Sequence, residues 1–207
     1  MGEDPQSWEW IGRNYATGWN GTRLLVLGES SYGAEAPPPR FLVENHIQGT
    51  GRWRSTYTRF EKLLERCEGN PTEEQRRAFW NRLAFTNFLN RPAALRPRSG
   101  RPPTELWAKA MPDFHSLLGR LTPRPDGIIV WGLRLWYSLE REPGCRWGSP
   151  SCQSLQWDPV RGRGQIHWPG GPPIPAVAIA HPSSPVALNQ KWAGVLPTFL
   201  VGLQYSV

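Results

Sequence analysis

Lysine and cysteine are scarce in this 207-residue chain, and it has no long apolar run. Of the 24 basic residues only Lys62, Lys109 and Lys191 are lysine; the rest are arginine. None of the three lies beside the polar motifs described below, which argues against catalysis through a lysine Schiff base. The cysteines are Cys67, Cys145 and Cys152, an odd and scattered set that does not make the disulfide framework of a secreted domain. Cys145, Cys152 and His167 offer three metal ligands, but their spacing fits no standard zinc pattern and a fourth ligand is not evident. No metal and no cofactor is therefore expected. Mean hydropathy is −0.52 and the longest apolar runs are strand-sized. That excludes a membrane-spanning helix, and no apolar leader opens the chain, so the expectation is a soluble, cytoplasmic protein.

The formal charge is +7 and the pI near 9.8. Guanidinium forks match phosphate oxygens, so an arginine-rich excess suits a polyanionic partner. The same enrichment follows from a GC-rich genome, and composition leaves both readings open. Twelve tryptophans are many for this length. Most tryptophans belong to cores. Trp53, Trp147, Trp157 and Trp168, however, lie in polar, Gly/Pro-rich segments, where a flat apolar face beside a cleft can stack a base or a sugar.

The length suits one domain. Two apolar runs, Leu24–Leu27 and Ala176–Ala180, stop abruptly at Gly28-Glu29-Ser30-Ser31 and at His181-Pro182-Ser183-Ser184. Runs of this kind read as buried parallel strands, and sites in open α/β sheets lie beyond the carboxyl ends of such strands. Leu83–Leu89 and Gly127–Trp131 read the same way. Helices are predicted over 7–19, 57–67, from Pro71-Thr72-Glu73-Glu74 onward, over 103–121, 133–139 and 190–203. Residues 33–52 read as a loop broken by Pro37-Pro38-Pro39. A Gly/Pro/Trp-rich insert spans about 142–175, in which Leu155–Val160 and Gln165–Trp168 are predicted to pair as a hairpin. Alternating strands and helices give a three-layer α/β/α fold around a mostly parallel, four-stranded sheet.

The order of these motifs resembles the uracil-DNA glycosylase superfamily from about residue 22 to residue 200. Gly28-Glu29 is similar to its first motif, Phe85-Thr86-Asn87 to its base-recognition strand, and His181-Pro182-Ser183-Ser184-Pro185 to its final histidine motif. The best-known branch carries Asp-Pro where this chain has Ser30-Ser31, so an acid at Glu29 is closer to the iron–sulfur branch. That branch needs four cysteines for its cluster, which this chain cannot supply. The resemblance therefore implies a divergent, cluster-free member.

What the resemblance implies is a monofunctional DNA glycosylase that acts on a base flipped out of the stack. Glu29 would stabilise positive charge on the sugar, and His181 negative charge on the leaving base. Asn87 would read the base edge with its amide, Tyr32 would wall the pocket, and Gly28, Ser30 and Ser31 would line it. Trp53 or Tyr57 would stack on the base. Ser183 and Ser184 would hold a phosphate, Val186 or Leu188 would wedge into the emptied stack, and Arg91, Arg96, Arg98 and Arg101 would track the backbone. Each residue also has a plainer role: a strand-end cap, a turn asparagine, a core aromatic, a solvated loop. The partner is DNA, duplex or single-stranded, and the protein is expected to act as a monomer. The tryptophan-rich insert suits a bulky substrate such as glucosylated hydroxymethylcytosine of phage DNA, in antiviral defence; excision of uracil or another deaminated base in repair is the alternative. A non-catalytic DNA binder on the same fold is a second class. A serine hydrolase is a third, but Gly28-Glu29-Ser30-Ser31-Tyr32 lacks the last glycine of a nucleophile elbow.

Overall fold

Four apolar runs bounded by glycine or polar turns supply the centre of the molecule. In the computed structural model, which describes residues 8–31, 37–51, 54–90, 104–139, 163–184 and 194–204, six strands form one mixed sheet. They are β1 (Trp10–Ile11), β2 (Leu24–Gly28), β3 (Leu83–Asn87), β4 (Gly127–Trp131), β5 (Arg163–Trp168) and β6 (Gly171–Ile179), in the spatial order β1-β3-β2-β4-β6-β5. The expected four parallel strands form the inner part, β3-β2-β4-β6. The four-stranded count itself needs correction, because β1 and β5 add an antiparallel strand at each edge. Every residue of β2, β3 and β4 is buried, which is why these strands read as continuous apolar runs and not as alternating ones.

Helices cover both faces. The element α4 (Thr104–Arg120) and α5 (Leu133–Leu139) pack Trp107, Phe114, Leu118 and Trp136 on one face. On the other lie α1 (Pro39–Gln48), α2 (Arg54–Glu65), α3 (Glu73–Trp80) and α6 (Val195–Gln204), with Ile47, Phe60, Trp80 and Phe199 among their buried side chains. The predicted start at Thr72 is a capping box: Thr72 Oγ1 accepts from the Gln75 N–H at 3.2 Å and the Thr72 N–H donates to Gln75 Oε1 at 2.8 Å. No described helix is long and apolar enough to cross a membrane.

Three local expectations are corrected. Residues 37–51 are not a loop: Pro39 occupies the first helical position of α1, where a missing N–H costs nothing, and Gly49 closes the helix in the left-handed conformation. The described part of 7–19 is not helical; Trp10–Ile11 pairs with β3, and turns follow. The strand around Gln165–Trp168 pairs with Gly171–Val177, while residues 155–160 lie outside the described set.

Candidate active site

The parallel register carries the first two motifs to one place. Gly28 at the end of β2 stands opposite Asn87 at the end of β3, and the ladder runs on: the Phe88 N–H donates to the Gly28 carbonyl at 2.8 Å and the Leu89 N–H to that of Glu29 at 2.9 Å. A Cβ at Gly28 would collide with Asn87 Oδ1, so glycine here makes room for the amide. Asn87 is only 7% exposed, and its Nδ2 donates to Ser31 Oγ at 2.9 Å. Ser31 in turn reaches the Pro37 carbonyl at 3.5 Å. Ser30 Oγ is buried and has no hydrogen-bond partner among the described residues. Gly28→Ala is predicted to displace Asn87 while the sheet stays intact. Its melting temperature should lie close to wild type and its activity well below, and equal loss of both would contradict this placement.

Glu29 follows β2 and is 8% exposed. Its carboxylate takes a two-pronged ion pair from Arg134, with Nε donating to Oε2 at 2.7 Å and Nη2 to Oε1. Arg134 reaches it because β4 is followed by Gly132, whose φ of 100° favours glycine and turns the chain into α5. The Gly132 N–H donates to the Ile179 carbonyl of β6 at 2.9 Å, tying this turn to the histidine strand.

His181 follows β6 and meets the Trp131 ring edge-on, centroids 6.0 Å apart. The Ser183 N–H donates to His181 Nδ1 at 3.2 Å, and Ser183 Oγ lies 2.7 Å from the same nitrogen. Nδ1 is thus an acceptor, which places the proton of the neutral ring on Nε2. Burial pushes the His181 pKa below the ordinary imidazole value; the Glu29 charge pulls it up and Arg134 pushes it down. The two strand ends therefore sit in one electrostatic field. The arrangement can hold an anion beside a neutral N–H donor, with an amide at the neighbouring strand end.

No protein-family model matches the chain, and no curated protein matches it significantly.

Of the residues singled out by the sequence, Gly28, Glu29, Ser30, Ser31 and Asn87 gather at the ends of β2 and β3, and His181, Ser183 and Ser184 follow β6. Tyr57 stands apart from them. It is 4% exposed and packs against His46, Trp80, Phe85 and Trp131 in the core, which gives it no open face on which to stack a base. Tyr32, Trp53, Arg91, Arg96, Arg98, Arg101, Val186 and Leu188 lie outside the described residues, as do Trp147, Trp157, Cys145 and Cys152. Among the described residues no group of three His, Cys, Asp or Glu side chains is placed to hold a metal.

Two residues at the site escaped the sequence reading. Arg134 carried a signal, being a cation just past the glycine turn at a strand's carboxyl end. Arg59, on α2, carried none; its Nη1 donates to the Pro182 carbonyl at 3.3 Å and the Ser183 carbonyl at 3.0 Å. A cavity of about 390 Å³ opens between the end of β3, where Asn87 lines it, the Trp8–Glu9 segment and α4. Neither Glu29, Arg134 nor His181 lines it, and its polar walls are tied up in the Arg120–Glu9 and Asn90–Asp113 contacts, at 2.7 Å and 2.6 Å.

Proposed function

We propose that this protein is a monofunctional DNA glycosylase that hydrolyses the N-glycosidic bond of a flipped, modified pyrimidine and leaves an abasic site. The observation that carries the reading is the Glu29 carboxylate, clamped by Arg134 at the end of β2, together with a His181 after β6 whose Nδ1 accepts from the Ser183 N–H and leaves Nε2 to act as the donor. As the bond from C1′ to the base breaks, its electron pair leaves with the base and positive charge grows on the sugar. The Glu29 carboxylate offsets that charge and orients the water, whose oxygen bonds to C1′ and whose released proton passes by way of the carboxylate to solvent. His181 Nε2–H donates to the base oxygen on which negative charge gathers, and solvent later protonates the freed base. Asn87 presents an acceptor and a donor to the base edge. A depressed His181 pKa suits this role, because it favours the neutral ring, which gives a hydrogen bond without giving up its proton.

The resemblance of Gly28-Glu29, Phe85-Thr86-Asn87 and the His181 motif to the uracil-DNA glycosylase superfamily supports the same chemistry, with the protein working as a monomer in the cytoplasm. The replacement of Asp-Pro by Ser30-Ser31, together with the tryptophan-rich insert, favours a bulky base such as glucosylated hydroxymethylcytosine over uracil. The test is to incubate the protein with duplex and single-stranded DNA containing glucosylated hydroxymethylcytosine, uracil or hypoxanthine, and then cleave at abasic sites. Product from the glucosylated substrate is expected. Product from uracil alone would assign the protein to repair. DNA binding with every base left in place would make it a non-catalytic binder.

A further inference from the structure

The turn after β6 is held from outside by a side chain that belongs to none of the three motifs. Arg59 extends from α2 across the sheet end and places one terminal nitrogen, Nη1, on both the Pro182 and Ser183 carbonyls. Both bonds come from Nη1. No bond is present to Nε or Nη2 among the described residues. This is the edge of the guanidinium that presents two parallel N–H groups and matches two oxygens of one phosphate. The guanidinium is anchored through Nη1 to a fixed turn, because the Ser184 N–H donates to the His181 carbonyl at 2.8 Å and Ser183 is locked onto His181 Nδ1. A half-buried arginine whose other nitrogen is already anchored loses little freedom when an anion arrives.

We infer that Arg59 is a DNA-phosphate ligand, gripping one phosphodiester of the strand that carries the flipped nucleotide while its Nη1 anchors the turn bearing His181. The inference rests on the glycosylase reading for the identity of the strand, but not for the contact itself. A phosphate on the Nε–Nη2 edge is therefore tied, through one rigid side chain, to the turn that sets the histidine's tautomer. Backbone engagement and histidine position become parts of one structure.

The measurement is equilibrium binding, across a salt series, to a duplex with a tetrahydrofuran abasic-site analogue at its centre. Arg59→Ala is expected to weaken binding about tenfold at low salt and to reduce the slope of log affinity against log salt by about one, the loss of one neutralised phosphate. Arg59→Lys keeps the charge but not the fork, and should retain the slope while losing part of the affinity. A weaker affinity with the wild-type slope in Arg59→Ala would mean that Arg59 only props the turn, and would overturn the inference. If the wild-type protein binds the duplex but excises no base, the enzyme reading fails while the slope still decides the role of Arg59. If it binds no DNA at all, both fail. Thermal unfolding of each variant, run alongside, separates a lost contact from a lost fold.

Discussion

Glu29→Gln should lower base excision by about 10²- to 10⁴-fold, the range spanned by single groups that act on the transition state. The amide preserves the shape of the side chain but removes the charge that faces the sugar. It also leaves Arg134 with no counter-ion at a point where positive charge must grow, so the variant replaces an attraction by a repulsion. Binding to DNA should change far less, because the loss falls on the transition state and not on the ground state. The same substitution has a signature that needs no substrate. Glu29 raises the His181 pKa and Arg134 lowers it, so Glu29→Gln should move the His181 midpoint further down and Arg134→Ala should move it up. Both shifts can be read by NMR titration of the ring, with His181→Ala assigning the signal among the four histidines. Shifts of equal sign would show that the three groups do not share a field. Full excision by Glu29→Gln would end the mechanism proposed for this site.

The ends of the central strands were legible because their chemistry is local. Leu24–Gly28, Leu83–Asn87 and Gly127–Trp131 are apolar runs closed by glycine or asparagine, and a strand buried on both faces has to look like that. Glu29 and His181 could be named because each follows such a run directly, and Asn87 because Phe85-Thr86-Asn87 resembles a base-recognition strand. The first half of β6 was hidden by Pro172, Pro173 and Pro175, which lack the donors of an inner strand; that half pairs only with β5, at the edge of the sheet. The start of α1 was hidden for a related reason, since a proline that opens a helix looks the same in sequence as one that breaks it. Arg134 and Arg59 lie on helices remote in sequence from their partners, Glu29 by 105 positions and Ser183 by 124. Only the folded sheet brings those pairs together, and no spacing rule reports them.

Glu61→Ala should be the most damaging single change to the fold. Glu61 is 3% exposed, and its Oε1 lies 2.7 Å from His46 Nε2 and accepts from Trp80 Nε1–H at 2.8 Å. His46 and Trp80 are both fully buried, so the three side chains join α1, α2 and α3 through one carboxylate oxygen. Tyr57 stacks on the His46 ring with centroids 5.2 Å apart, closing the cluster with apolar surface. Truncation at Glu61 strands two donors where water does not reach and opens a void beside them. The expected cost is about 3–5 kcal/mol, from about 1–3 kcal/mol for each of the two stranded donors together with the void. Urea denaturation should show a midpoint that falls with an unchanged slope. A loss below about 1 kcal/mol would mean the cluster carries no net stability, as happens where the desolvation penalty consumes the gain. Replacing His46 and Glu61 together by leucine should cost less than Glu61→Ala, since the buried imidazole donor is removed with its acceptor. The cluster also bears on the site, because Arg59 is two residues from Glu61 on the same helix. A helix loosened at Glu61 relaxes the grip on the Pro182–Ser183 carbonyls. In surviving Glu61 variants, excision should therefore fall by more than the unfolded fraction explains.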